Sequence, residues 1–262
     1  MLIAQLTDSH IGEPGKGADQ RYGTGERLSR CVAAVLDLTR RPDVVLVTGD
    51  LVDSGKPEEY RHLRALLDPL DVPYYLIPGN HDDRDALRSV FEDHSYLPAM
   101  GYLHYALDRE APDHWPVRLV GLDTLVPGQD AGALDDERLA WLDSVLAAQP
   151  ERPTFVFMHH PPFRTGNRAI DALGLAGAAD FEAVLRRHRQ VVHVAAGHVH
   201  RSIASAFAAR LCTTSPATAY PMFLDVSDDP ALRLEPAPPA FQLHLWQPEG
   251  GYFVTHTSTV AT

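Results

Sequence analysis

Five short apolar runs, each followed directly by polar residues, constrain the fold of this 262-residue chain more than any other feature. The runs read LIAQLT, VVLVT, YYLIP, FVFM and VVHVAA. The polar clusters that follow them are Asp8-Ser9-His10, Gly49-Asp50, Gly79-Asn80-His81-Asp82, His159-His160 and Gly197-His198-Val199-His200. Such runs are typical of parallel strands buried on both faces. Because these strands carry functional residues at their carboxyl ends, on one edge of the sheet, we expect the clusters to converge.

Amphipathic helical patterns lie between the apolar runs. Residues 26–40 place apolar side chains on a single helical face. The stripe consists of Leu28, Cys31, Val32, Val35 and Leu36. Similar stripes occur in residues 57–68, in residues 139–146 and in residues 181–185. This alternation of strands and helices predicts an α/β fold with a parallel-rich sheet covered by helices.

The pattern changes in the C-terminal quarter of the chain. The runs SIASAFAA, RLCTT, FQLHLWQ and YFVTHTS are short and β-like, and they predict antiparallel strands that complete a second sheet. YLHYALD and VRLVGLD predict two further strands joined by a Pro-rich turn at residues 111–116, and residues 228–240 predict a Pro-rich surface connection. We therefore expect a catalytic core at residues 1–205 and a C-terminal β segment at residues 206–262.

Composition excludes several classes of function. A net charge of -12 argues against a protein that binds a nucleic acid polymer, because such proteins need a basic face. The opening MLIAQLTDSH predicts no signal peptide, and no apolar stretch approaches the ~20 residues of a membrane helix, so we expect no membrane insertion. Cys31 and Cys212 lack CxxC spacing, and we expect buried reduced thiols and a cytoplasmic location.

The polar clusters combine carboxylate, amide and imidazole groups without a thiolate, which suits Zn, Mn or Fe. At an extended strand end, residues i and i+2 point the same way, so Asp8 and His10 form one expected ligand pair. His198 and His200 have the same spacing. The two oxygens of a carboxylate can bridge two cations, and we expect Asp50 to do so.

Two positions in the clusters are not assigned by strand spacing alone. His159 and His160 are adjacent and point to opposite sides, so the spacing leaves open which of them binds a metal. His81 follows directly after the expected ligand Asn80. Its imidazole could protonate a leaving alkoxide or stabilise a negative phosphoryl oxygen.

The ordered series DxH, GD, GNHD, HHPP and GHxH, over residues 8–200, resembles the calcineurin-like binuclear metallophosphoesterases. The string GKPEEYRHLRALLDPLDVPYYLIPGNHDD is most similar to bacterial class III cyclic nucleotide phosphodiesterases and glycerophosphodiesterases. The resemblance implies a four-layer αββα sandwich with a parallel-rich first sheet, a mixed second sheet and a small C-terminal β appendage. GDLVDSG and GNHD depart from the GDxxDRG and GNHE of protein Ser/Thr phosphatases, which disfavours phosphoprotein dephosphorylation.

The resemblance also implies an active site with two divalent or mixed-valence metal ions per chain, drawn from Fe, Mn, Zn and Co. One ion would bind Asp8, His10, Asp50 and His200, and the other Asp50, Asn80, His159 and His198. This selects His159 over His160, and it matches His81 to a histidine that assists phosphate chemistry. The implied reaction is attack by a metal-bridging hydroxide on a small phosphodiester, such as a 3′,5′-cyclic nucleotide or a glycerophosphodiester.

Loops around the clusters supply the expected substrate contacts. We predict that Asn80, His81, Tyr22 and Arg164 contact substrate, although a solvated surface position is the alternative for Arg164. Rival functions are a broad-specificity phosphomonoesterase, a nuclease, which the acidic charge disfavours, and a non-catalytic metal-binding scaffold. The scaffold is disfavoured because every motif position is filled.

We expect a homodimer or a larger homo-oligomer, on the basis of the similarity to oligomeric relatives. Aromatic residues in the C-terminal segment are candidates for the subunit contact. They are Phe223, Trp246, Tyr252 and Phe253. The alternative is that these side chains complete the second sheet of the same chain.

Overall fold

The computed structural model describes residues 1–108 and 115–260. The strands are β1 (Leu2–Leu6), β2 (Val44–Thr48), β3 (Tyr74–Ile77), β4 (Tyr105–Leu107), β5 (Arg118–Leu122), β6 (Gly132–Ala133), β7 (Thr154–Met158), β8 (Leu175–Ala176), β9 (Val191–Ala196), β10 (Ile203–Phe207), β11 (Arg210–Thr214), β12 (Ala240–Gln247) and β13 (Tyr252–Thr259). The helices are α1 (Gly17–Tyr22), α2 (Thr24–Leu36), α3 (Pro57–Leu67), α4 (Arg84–Val90), α5 (Asp136–Ala147), α6 (Arg168–Asp171) and α7 (Ala178–Arg187).

In the described residues the strands form two large sheets and one small one. The first sheet has the order β13-β12-β1-β2-β3, in which β1, β2 and β3 are parallel and the hairpin β12-β13 is antiparallel to β1. The second has the order β10-β11-β9-β7-β5-β4, with four parallel central strands and an antiparallel strand at each edge. Strands β6 and β8 form a separate parallel pair.

Three apolar layers hold the sheets and helices together. Because side chains alternate along a strand, Ala4 and Leu6 face helices α2, α3 and α4, while Ile3 faces the second sheet. Phe155 and Phe157 of β7 fill the space between the sheets. Helices α5 and α7 cover the outer face of the second sheet. The result is the expected α/β fold with four layers, helix, sheet, sheet and helix.

The predicted strands and helices are confirmed, with two differences. Helix α2 ends at Leu36 rather than near residue 40, because the following Asp-Leu-Thr-Arg-Arg-Pro segment is polar and Pro42 cannot continue a helix. Both large sheets are mixed, since the C-terminal hairpin β12-β13 adds antiparallel strands to the first sheet. Residues 111–114 of the predicted Pro-rich turn lie outside the described residues.

The C-terminal segment is divided between the two sheets instead of completing only the second. Strand β11 joins the second sheet beside β9, whereas β12 pairs with β1 in the first sheet. The expected boundary at residue 205 falls inside β10. Trp246 and Phe253 are buried between the sheets, because the hairpin carries them into the central layer.

In the described parts of the chain, before and after the gap at residues 109–114, no helix combines the length and hydropathy that crossing a bilayer requires.

Candidate metal centre

The five polar clusters meet at one edge of the sandwich, beyond the carboxyl ends of β1, β2, β3, β7 and β9. Backbone hydrogen bonds join the loops that carry them. The N–H of Asp8 donates to the carbonyl of Gly49 at 3.0 Å, and the N–H of Gly197 donates to the carbonyl of His159 at 2.9 Å. The predicted convergence therefore has a direct structural basis in the parallel strands of both sheets.

One group of buried side chains consists of Asp8, His10, Asp50 and His200. The Nε2 atoms of His10 and His200 lie 3.1 Å apart. His200 Nε2 is 3.4 Å from Asp8 Oδ1, and His10 Nε2 is 3.6 Å from Asp50 Oδ2. Two carboxylates and two imidazole nitrogens thus surround a single point, with the geometry of a small cation site.

A second group lies on the other side of Asp50. His159 Nε2 is 3.3 Å from Asp50 Oδ1, so the two oxygens of this carboxylate face different groups. Asn80 Oδ1 lies 3.1 Å from His159 Nε2 and 3.0 Å from His198 Nδ1. The structure brings together all seven residues that we expected as metal ligands, with Asp50 between the two groups.

Backbone carbonyls define which nitrogen of each histidine faces the centre. A carbonyl only accepts, so His200 Nδ1 donates to Tyr220 at 2.6 Å and His159 Nδ1 donates to Thr48 at 2.9 Å. His198 Nε2 donates to the carbonyl of Leu173 at 2.9 Å. The opposite nitrogen of each of these three rings then faces the centre, the orientation that metal-binding histidines need.

The donor set fits cations. Without a cation between them, the Nε2 atoms of His10 and His200 lie only 3.1 Å apart. Burial lowers the pKa of His10 to about 3 and that of His198 to about 4, which favours neutral rings. Burial opposes ionisation of Asp50, yet His159 and His10 hold its pKa well below the usual range. Burial also opposes protonation of His159, but Asp50 raises its pKa to about 9. Cation binding at His159 would therefore displace a proton.

His159 and His160 make different contacts, although both lie close to His198, whose ring centroid is 4.4 Å from that of His160. His159 faces Asp50 and Asn80, whereas His160 Nδ1 lies 2.8 Å from the hydroxyl of Thr124. His160 Nε2 lies 3.1 Å from the carbonyl of Asp130, so both of its ring nitrogens have partners outside the two groups. The opposite orientations predicted for adjacent residues produce this division.

His81 lies at the mouth of the centre. Its backbone N–H donates to Asp50 Oδ1 at 2.9 Å, and its Nδ1 donates to the carbonyl of Asp53 at 2.8 Å. Burial disfavours the charged ring, but the Asp50 carboxylate raises the pKa of His81 above its usual value. The free Nε2 is therefore suited to donate a proton to, or bind, an anionic group.

Several of these residues adopt an unusual backbone conformation that the sequence reasoning missed. Positive φ angles occur at Asp8 (50°), His10 (42°), Asp50 (45°), His198 (69°) and His200 (53°). We expected extended strand ends, but the chain enters the left-handed region shortly after β1, β2 and β9. Asp and His enter this region more often than most residues, and strain of about 1–3 kcal/mol per position is typical of functional sites.

The described surface has a cavity of about 290 Å³ over the two groups, lined by both polar and apolar side chains. Its walls include His81, Asp130, Leu173, Tyr220 and Leu232. Tyr220 also stacks on His10, with ring centroids 5.2 Å apart. The sequence reasoning did not identify Tyr220 or Asp130, because neither belongs to a motif at a strand end.

The predicted substrate residues outside the motifs lie beside this cavity rather than in it. Tyr22 contacts Tyr220, with ring centroids 4.7 Å apart, and both line a neighbouring apolar cavity of about 500 Å³. Arg164 is exposed and lines a third cavity of about 210 Å³, on the far side of His198. Asn80 and His81 line the central cavity itself.

Comparison with known proteins agrees with this geometry. The model of the calcineurin-like phosphoesterase family matches residues 1–202, which include all of the motif residues. The chain belongs to this family. The family match covers both groups of candidate ligands and accounts for the ordered motifs.

Named relatives include phosphodiesterases of two kinds. A protein from Arcobacter nitrofigilis named a probable glycerophosphodiester phosphodiesterase is 33% identical over 99% of this chain and 93% of its own length. A probable cyclic nucleotide phosphodiesterase from Rhodopseudomonas palustris is 37% identical over 78% of this chain and 73% of its own length. A dimetal phosphatase structure from Danio rerio shares the fold, with a TM-score of 0.64 at 15% identity, covering 100% of this chain and 99% of that one.

Proposed function

We propose that this chain is a metal-dependent hydrolase of small phosphodiesters, with glycerophosphodiesters and 3′,5′-cyclic nucleotides as its substrate classes. The observation that carries the proposal is the division of the Asp50 carboxylate between two donor groups, with Oδ2 near His10 and Oδ1 near His159. The names of the Arcobacter and Rhodopseudomonas relatives support both substrate classes.

The proposed metal ligands are Asp8, His10, Asp50 and His200 for one ion and Asp50, Asn80, His159 and His198 for the other. Two divalent cations bound there would polarise a phosphoryl oxygen and lower the pKa of bound water. The carbonyls of Thr48, Leu173 and Tyr220 fix the histidine rings. His81, whose Nδ1 is held by Asp53, presents Nε2 to the leaving oxygen and donates a proton to it.

The cavities support a substrate with small organic groups. The central cavity of about 290 Å³ is at the lower end of the range for ligand pockets, which suits a small ester group. Tyr220 is shared between this cavity and the apolar cavity that Tyr22 lines. We propose that one ester group occupies the central cavity and that a bulkier second group contacts Tyr22.

The test is hydrolysis of bis(p-nitrophenyl) phosphate by protein reconstituted with Mn²⁺, compared with Asp50→Ala and Asn80→Ala. We expect a loss of at least 10²-fold in both variants, as is typical when an interaction with transition-state charge is removed. Asp228→Ala, on the surface connection, is the matched control. Undiminished turnover in Asp50→Ala would exclude this centre from the reaction.

A second assay compares glycerophosphoethanolamine with 3′,5′-cyclic AMP. We expect hydrolysis of at least one of them at a higher kcat/KM than that of p-nitrophenyl phosphate, a monoester. We expect Tyr22→Ala to raise KM more for the bulkier diester, 3′,5′-cyclic AMP, than for glycerophosphoethanolamine. Preference for the monoester would instead favour the phosphomonoesterase alternative.

The proposed metal ions are Fe, Mn, Zn or Co, and metal analysis of protein purified without chelator identifies them. The two free, buried cysteines fit a reducing cytoplasm. A homodimer is supported by exposed apolar side chains in the segment between β11 and β12, and sedimentation measures the oligomeric state. These side chains are Phe223, Leu224, Val226, Leu232 and Leu234.

A further inference from the structure

Asp82, the last residue of the GNHD motif, lies between the two loops that carry Asp50 and Asn80. Its side chain is buried rather than directed at the candidate ligands. Asp82 Oδ2 accepts hydrogen bonds from the backbone N–H of Leu51 at 3.1 Å and of Gly79 at 2.7 Å. One oxygen atom therefore joins the residue after Asp50 to the residue before Asn80.

The other oxygen of the same carboxylate anchors this connection to the helical layer. Asp82 Oδ1 accepts from the hydroxyl of Tyr60 at 2.9 Å and from the N–H of Val52 at 3.4 Å. Tyr60 belongs to α3 and is fully buried. A carboxylate offers about four acceptor positions, and here all four are used by donors from three segments of the chain.

We propose that Asp82 is a positioning residue that sets the spacing between Asp50 and Asn80, and so fixes the geometry of the second metal site. This inference rests on the proposed metal-dependent function. The site of Asp50, Asn80, His159 and His198 is the one that needs both loops, whereas the site of Asp8, His10, Asp50 and His200 takes only Asp50 from them. Loss of Asp82 should therefore weaken binding of the second ion more than that of the first.

The chemistry of possible replacements ranks their effects. Asn at position 82 can keep its oxygen toward Leu51 and Gly79, and can donate from its amide nitrogen to the hydroxyl of Tyr60. Because an amide nitrogen cannot accept, the N–H of Val52 then loses its long hydrogen bond of 3.4 Å, and the other contacts remain. Ala at position 82 removes the acceptor of the N–H groups of Leu51, Val52 and Gly79, whereas the hydroxyl of Tyr60 keeps the carbonyl of Asp83 at 3.3 Å. Tyr60→Phe removes one donor of the four, so its effect should be the smallest.

The experiment is Mn²⁺ titration of chelator-treated protein, followed by isothermal calorimetry, with thermal unfolding of the metal-free protein measured in parallel. For Asp82→Ala we expect the Kd of the weaker site to rise about 10–100-fold, the usual effect of removing a partner of a metal ligand. The tighter site should change less than threefold. Turnover should recover at high Mn²⁺, since the ligands themselves remain.

Asp83→Ala is the matched control, because the described hydrogen bonds of this neighbouring carboxylate cap α4 at Asp85 and Ala86 and do not join Leu51 to Gly79. It should lower thermal stability without changing either Kd. If Asp82→Ala fails to fold, Asp82→Asn gives the same test with a smaller effect. Unchanged affinity in a folded position-82 variant, or equal effects at positions 82 and 83, would overturn the inference alone. Wild-type protein that binds fewer than two ions would overturn the proposed function as well.

Discussion

Replacing Gly79 with Ala should inactivate the centre while leaving the fold intact. A Cβ atom at this position would lie 2.2 Å from the backbone nitrogen of Asp50, 2.3 Å from Asp50 Oδ1 and 2.8 Å from His159 Nε2. All three distances are shorter than a Cβ atom tolerates, and two of the neighbours are proposed ligand atoms. The Asp50 loop must therefore move away from Gly79, and the carboxylate moves with it.

The size of the effect follows from that displacement. A misplacement of about 1 Å at a reacting centre costs roughly 10²-fold in rate, and overpacking a buried site costs about 1–3 kcal/mol of stability. We expect both losses in Gly79→Ala. The assays are turnover of bis(p-nitrophenyl) phosphate at saturating Mn²⁺ and urea unfolding of the chelated protein.

Gly251→Ala separates the effect on the centre from a general effect of adding a methyl group. Gly251 lies in the turn between β12 and β13, with φ +67° and no atom within 4 Å of the added Cβ. It should lose about 1–2 kcal/mol through its left-handed backbone and keep wild-type turnover. Wild-type turnover in folded Gly79→Ala would refute the argument, because it would mean that the Asp50 loop is free to move without cost.

Three further predictions concern stability and are measured by urea unfolding. Burial lowers the pKa of His193 to about 3, whereas the pKa of a histidine in the unfolded chain is about 6.5. Below about pH 6.5 the unfolded chain therefore binds a proton that the folded chain does not, and the free energy of unfolding falls as the pH drops. His193→Phe should reduce that dependence by about 1.4 kcal/mol per pH unit near pH 5, and an unchanged slope would contradict the prediction. Asp123→Ala should cost about 3–5 kcal/mol, because it strands the Arg84 guanidinium now 2.6 Å from the carboxylate, and adding Arg84→Met should restore part of the loss. Phe155→Ala should cost about 3–5 kcal/mol, and a loss below 1 kcal/mol would contradict its central place between the sheets.

The sequence predicted the strands, the helices and the convergence of the motif residues, because each rests on a short-range pattern. Apolar runs and helical stripes report burial directly, and parallel strands place their ends on a common edge. The chemistry of the centre followed from residue type, since Asp50, Asn80 and the histidines carry their donor atoms wherever the chain folds. The assignment of these residues as metal ligands is still a prediction.

Other features depend on contacts that no local pattern encodes. Any residue can supply a backbone carbonyl, so the partners of the histidines at Thr48, Leu173 and Tyr220 had no signal in the sequence. The left-handed turns at the strand ends result from backbone pairing between loops. The pairing of β12 with β1 was missed for a similar reason, because the alternation in β12 shows which of its faces is buried but not which sheet it joins.

The position of β1 has a consequence for the order in which the protein matures. This strand carries Asp8 and His10 beyond its end, and it lies between β2 and β12, with Ile3 paired to Val44 of β2 on one side and to His244 of β12 on the other. The strand that completes this side of β1 is therefore far away in the sequence, since β1 is Leu2–Leu6 and β12 is Ala240–Gln247. Such distant pairing slows folding. The candidate metal centre should consequently form only after β12 has been made, and nascent chains that lack β12 should hold Asp8 and His10 without a complete sheet to support them.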